Sequence, residues 1–242
     1  RASKNNTTGV NTAVGFRSLQ TNTTGNANTA VGFDAMIDNS TGSANTALGN
    51  LALSNNTTAN NNTAVGNGAM EFNTSGPENT AVGNEALQTN TTGQRNTAIG
   101  HKALEDNTGD MNTAVGAFAL PENSTGDNNT AVGRNALRFN TTASNNTAVG
   151  HQALDQNTTG ASNVAVGGVA LDANTTGGSN TALGYNSLGA NTTASDNTAV
   201  GQASLANNTT GSSLVAIGAN ALVNNTTAAN NTAVGVSALL AN

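Results

Sequence analysis

Apolar positions along this chain recur with a period too long for a helix face and too regular for an ordinary globule. Val14, Val31, Leu48, Val65, Val82, Ile99, Val115, Val132, Val149, Val166, Leu183, Val200, Ile217 and Val234 follow one another at 17 residues, with a single interval of 16. Each lies in the pentapeptide Asn-Thr-Ala-Val-Gly or a near relative of it. Numbered from that Asn, the repeat reads N-T-A-V-G-x-x-A-L-x-x-N-T-T-G-x-x, and these repeat positions are used throughout. Fourteen copies fill residues 11–242, and residues 1–10 read as the tail of a preceding copy, Asn6-Thr7-Thr8-Gly9. The chain is therefore expected to be one repeat array over 1–242, a segment of a longer fibre.

Positions 1 to 5 alternate as a strand does, with positions 2 and 4 on one face and position 3 on the other. Position 4 accepts only Val, Leu or Ile, which predicts burial. Position 3 is Ala in all fourteen copies, which predicts close approach of another backbone or subunit. Gly at position 5 is never replaced, whereas position 15 accepts Ala at 59, 143, 194 and 228, so only the first is expected to need φ > 0. Ala or Ser at position 8 and Leu or Met at position 9 predict a second short strand facing the first. Asn-Thr-Thr-Gly predicts a surface turn, shortened by one residue at Asn107-Thr108-Gly109.

A 17-residue unit of this kind is too short for a helical hairpin repeat and suits one coil of an all-β, parallel β-solenoid. Fourteen coils at about 4.8 Å would make a rod of roughly 65 to 70 Å. Asn at positions 1 and 12 would then stack into amide ladders. One Val and one Leu per coil are little burial against the cost of ordering a whole coil, which points to a homo-oligomer, a parallel trimer, joined through the Ala face.

Composition narrows the functional classes. Trp and Cys are absent, and aromatic residues make up 2% of the chain, so thiolate metal sites and disulfides are excluded. The net charge is -6 and the seven basic residues are scattered, which disfavours nucleic acid. No apolar run approaches a membrane span.

The string Asn-Thr-Ala-Val-Gly-x-x-Ala-Leu resembles the Ser-Val-Ala-Ile-Gly-x-x-Ala repeats of trimeric autotransporter adhesin heads. It is closer still to Asn-Thr-Ala-Val-Gly arrays of bacterial and phage tail-fibre-like proteins. Leu214-Val215-Ala216-Ile217-Gly218 is the copy most similar to the adhesin form. The resemblance implies a left-handed parallel β-roll, trimeric and rod-like, projecting from a cell or virion surface. A coil of 17 residues is longer than those of adhesin heads, so a three-sided solenoid stays open as the cross-section.

Candidate chemistry is sparse. All thirteen acidic residues, both His and every basic residue outside the tail occupy positions 6, 7, 10, 11, 16 and 17, the pattern of a solvated surface. His101 and His151 share position 6 three copies apart, too far for one metal. Glu105 and Asp106 are adjacent and would point to opposite faces of a strand. No catalytic residues, cofactor or metal ligands are expected. Phe16, Phe33, Phe72, Phe118, Phe139 and Tyr185 also occupy variable positions, where packing on a neighbouring coil outweighs a carbohydrate platform. Asn6, Asn22, Asn39, Asn56, Asn73, Asn90, Asn123, Asn140, Asn157, Asn174, Asn191, Asn208 and Asn225 each open an Asn-x-Ser/Thr triplet. They are candidate N-glycosylation sites, set against a simpler reading in which Asn and Thr serve turn geometry and ladders.

The function expected from these features is a non-enzymatic shaft of an extracellular, cell-surface or virion fibre. Its partners would be its own copies, with a host-surface ligand, matrix component or glycan met through the variable positions. The alternatives are a glycan-decorated filament and a solenoid that binds ice or another crystalline surface through Thr at positions 13 and 14.

Overall fold

In the computed structural model, residues 9–240 are described. Among them are fourteen strands of three residues and no helix: β1 (Thr12–Val14), β2 (Thr29–Val31), β3 (Thr46–Leu48), β4 (Thr63–Val65), β5 (Thr80–Val82), β6 (Thr97–Ile99), β7 (Thr113–Val115), β8 (Thr130–Val132), β9 (Thr147–Val149), β10 (Val164–Val166), β11 (Thr181–Leu183), β12 (Thr198–Val200), β13 (Val215–Ile217) and β14 (Thr232–Val234). The chain forms two compact units, one holding the residues up to Ala117 with Pro121–Thr125, the other Phe118–Leu120 with the residues from Gly126 onward.

Each unit is a parallel β-solenoid with one strand per coil. In the first, β1 to β7 pair in sequence order, Thr on Thr, Ala on Ala and Val on its aliphatic equivalent. In the second, β8 to β14 keep the same register, with Val164 and Val215 taking the place of Thr. Seven coils at about 4.8 Å place the first and last strands of a unit roughly 29 Å apart.

The strand alternation is present, but its phase is the reverse of the sequence expectation. The position-3 residues from Ala30 to Ala216 are wholly buried, while Leu48, Ile99 and Ile217 at position 4 are 49%, 40% and 41% exposed. The reason is volume. Leu at position 9 and Asn at positions 1 and 12 already fill the coil interior, leaving room opposite them for a methyl group alone. Val, the bulkier member of the pair, is left on the outer face.

Positions 6 to 11 do not form the expected second strand. They bend through overlapping turns: Ala52 N donates to Gly49 O (3.4 Å), Ser54 N to Leu51 O (3.3 Å) and Asn56 N to Leu53 O (3.3 Å). Positive φ falls at positions 7 and 9, as at Leu51 (57°) and Leu53 (52°). A left-handed Leu costs on the order of 1 to 2 kcal/mol. Burial of that same Leu column and inter-coil bonds such as Leu53 N to Ala69 O (2.9 Å) hold it there.

The two glycines behave as their substitution patterns predict. Gly49 has φ 144° and an added Cβ would strike the carbonyl of Gly66 in the next coil. Position 15 lacks this conformation from Gly25 onward, and Ala fills it four times.

Candidate interaction surface

The interior is closed by two asparagine columns that use their side-chain amides differently. At position 12 the amides bond one another from coil to coil: Asn39 Nδ2 donates to Asn22 Oδ1 at 2.8 Å, and Asn174 Nδ2 to Asn157 Oδ1 at 2.8 Å. At position 1 the amide acts as an extra peptide group. Asn28 Oδ1 accepts the backbone N–H of Asn45 at 3.0 Å, and Asn28 Nδ2 donates to Gly42 O at 2.8 Å.

Both columns converge on the carbonyl of position 15. Gly42 O accepts from Asn28 and Asn39, and Ala194 O from Asn180 and Asn191 (2.9 and 3.0 Å). A carbonyl has two lone pairs, and these are the two donors that fill them. Position 15 thus contributes a backbone group, which explains its tolerance of Ala. Leu214 replaces the column-1 Asn once; its N–H still reaches Asn197 Oδ1 at 2.9 Å, but it offers no amide to Ala228 O.

The 16-residue coil interrupts the other column. Asn107 Nδ2 bonds Gly109 O at 2.8 Å, and Asn123 Nδ2 bonds Asn107 Oδ1 at 2.7 Å, yet Asn90 Oδ1 is buried without a partner. The missing turn residue costs one rung of the ladder.

The predicted sequon residues lie inside this frame. Asn22, Asn39, Asn56, Asn73, Asn90, Asn123, Asn140, Asn157, Asn174, Asn191, Asn208 and Asn225 are fully buried. A sugar on Nδ2 would have to displace ladder bonds and pass through the coil wall. Asn6 lies outside the described residues. Eight further Asn-x-Thr triplets lie outside the repeat-based set: Asn5, Asn55, Asn207 and Asn224 at position 11, which overlap it, and Asn61, Asn128, Asn145 and Asn230 at position 17, which do not; Asn5 lies outside the described residues. The signal was present in the doubled Asn-Asn-Thr strings.

Outside the frame, two surfaces differ sharply in chemistry. The outer face of the strands presents positions 2 and 4, where all 28 side chains are Thr, Val, Leu or Ile and none is charged. Among the described residues the turns carry all the charge. Four ion pairs there join equivalent or near-equivalent positions of successive coils: Arg17 with Asp34, Glu78 with Arg95 (2.8 Å), Glu85 with Lys102 (3.2 Å) and Arg138 with Asp155 (3.0 Å). Asp34 and Asp155 are buried, against the solvated surface expected for every acidic position, and the arginines pair with them; the exposed Glu78–Arg95 pair adds little stability but favours one register over another. Burial pushes the Asp172 carboxyl above its ordinary value; backbone N–H groups partly oppose this, and the charge of Asp155 in the preceding coil reinforces it.

The aromatic residues pack along the coils. Phe16 and Phe33 stack on each other at 5.4 Å, and Arg138 lies 4.2 Å over the Phe139 ring. Phe16, Phe33, Phe72 and Tyr185 nonetheless remain exposed. His101 and His151 are both exposed and belong to different units. Among the described residues no group of three His, Cys, Asp or Glu could hold a metal ion, and no helix is long and apolar enough to cross a membrane. The hydroxyls of position 13 are also committed: Thr57 Oγ1 donates to Thr74 O at 3.0 Å and Thr158 Oγ1 to Thr175 O at 3.0 Å. Only position 14 remains of the Thr pair expected to meet a crystalline surface.

Compared with protein-family models, curated proteins and solved structures, the chain finds no match.

Proposed function

We propose that the chain is the structural shaft of an extracellular fibre or adhesin, on a cell or virion surface, without enzymatic activity. It associates with copies of itself as a homotrimer through the Thr/Val face of its strands. The observation that carries this reading is the uncharged outer face: 28 strand side chains without a charge, beside turns that hold every charged residue outside the tail. That face's position-4 column repeats an aliphatic side chain in every coil, with Leu48, Ile99 and Ile217 exposed, and recurring exposed apolar surface on a water-exposed protein marks an association site. The Ala face is consumed inside the coil, so the association expected from the sequence moves to the opposite side of the strand. The variable turn residues then face outward, where a receptor would meet them.

Negative-stain imaging of the purified chain together with its light-scattering mass tests the reading. Unbranched particles of trimer mass support it, and monomers at tens of micromolar concentration would overturn it. A second reading, recognition of ice or another crystalline surface, draws on the same columns of Thr hydroxyls and Val methyls at regular spacing. Thermal hysteresis separates the two, since a plain shaft shows none.

A further inference from the structure

Repeat position 17 carries an acceptor chemistry that the buried columns cannot offer. Asn61, Asn128, Asn145 and Asn230 each precede Asn-Thr, completing an Asn-x-Thr triplet. All four are exposed. Their side-chain amides make no hydrogen bond in the structure, in contrast to the laddered asparagines.

Backbone conformation alone does not account for Asn at these four places. Their φ values are 60°, 57°, 62° and 63°, in the left-handed region that Asn tolerates well. Yet the same position holds the same conformation with Ala44, Glu78, Arg95, Ser162 and Asp196. The fold therefore accepts many residues there. Where it receives Asn, the invariant Asn-Thr of the next strand turns that residue into a triplet on a surface turn, the setting in which N-linked sugars are carried.

We infer that Asn61, Asn128, Asn145 and Asn230 are N-glycan acceptor sites of the folded protein and that the buried position-12 asparagines are not. The donor is an activated sugar, a nucleotide-linked or lipid-linked diphosphate. In the transfer, Nδ2 bonds to the anomeric carbon while the bond from that carbon to the diphosphate oxygen breaks. The diphosphate leaves with the electron pair, and the Nδ2 proton passes to an enzyme base or to water. The inference goes beyond self-association and does not depend on it, because the acceptors are turn residues and not part of the Thr/Val face.

The test uses the folded protein, a soluble N-glycosyltransferase and UDP-glucose, with hexose located by peptide mass spectrometry. The heat-unfolded chain, treated in parallel, shows that the enzyme accepts both sets of triplets. In the folded protein, occupancy at the four position-17 residues should exceed that at any position-12 residue by at least about tenfold, because reaching the latter requires local opening. Unfolding should erase the difference. Replacing the four by Gln should remove the position-17 hexose, leaving in the folded protein only what the exposed position-11 residues Asn207 and Asn224 accept, with the circular dichroism unchanged. Equal occupancy of the two columns in the folded state would overturn the inference, as would unmodified position-17 residues in a chain that becomes modified once unfolded.

Discussion

The two faces of each strand differ by only a few methyl groups and are put to opposite uses. On the inner face of β9, Ala148 is completely buried, as are Leu154, Asn146 and Asn157 of its own coil; on the outer face, Thr147 and Val149 are only partly covered. The bulkier residue lies outside because the interior is already filled by one Leu and two amide columns. In a coil this thin, the invariance of a residue reports how little space it has, and a uniformly aliphatic position can be an outer surface as well as a core.

Enlarging the inner face should produce the largest effect. Ala148→Leu should lower unfolding free energy by about 1 to 3 kcal/mol or more through overpacking, whereas Val149→Thr should stay within about 0.5 kcal/mol. Urea unfolding of both variants checks the contrast, and equal losses would dissolve the distinction between the faces.

Removing a rung comes next. Asn157→Leu leaves Asn140 Oδ1 without its donor (3.0 Å) and takes from Asn174 Nδ2 one of its two acceptors (2.8 Å), the other being Gly177 O. A loss of about 1 to 3 kcal/mol is expected for such an orphaned group. Asn163→Leu, at the position where Leu214 occurs naturally, should cost less.

Completing the interrupted ladder should have a smaller and opposite effect. A Thr inserted between Thr108 and Gly109 restores the 17-residue coil and supplies a partner for Asn90 Oδ1. The melting temperature should rise by the few degrees that about 1 kcal/mol gives a domain of this size. An unchanged or lowered value would show that the orphaned oxygen does not limit stability.

The smallest effect lies in the turns. Asp172 has a raised folded-state pKa, because burial and the charge of Asp155 outweigh its backbone hydrogen bonds. Its ionisation therefore erodes stability as pH rises from the ordinary Asp value through the raised one. Asp172→Asn should remove that loss, making the variant the more stable form at neutral pH and equal to the parent in acid. Parallel melting curves at the two pH values read this directly.

Much of this architecture was legible in the sequence. The strict period fixed the coil, invariant Gly at position 5 predicted its positive φ, and Asn at position 12 predicted its ladder, because each makes a demand that only one residue type meets. The phase of the strand was not legible, since Thr-Ala-Val alternates identically whichever face is buried. The turns at positions 7 and 9 were hidden because their left-handed residues are Leu, Arg and Glu, with hardly a Gly among them to announce them. The Asn-Asn-Thr triplets at position 17 are visible in the sequence, but their exposure is not, since it depends on which of the two adjacent Asn side chains turns into the coil.

The central claim is that the outer strand face joins copies while the inner face holds the fold. Val132→Lys with Val149→Lys places two charges on that outer face without touching the interior. Light scattering should give a trimer mass for the parent and a monomer mass for the variant, with the far-ultraviolet circular dichroism of the two superimposing. A parent that is monomeric, or a variant that remains trimeric, would contradict the account.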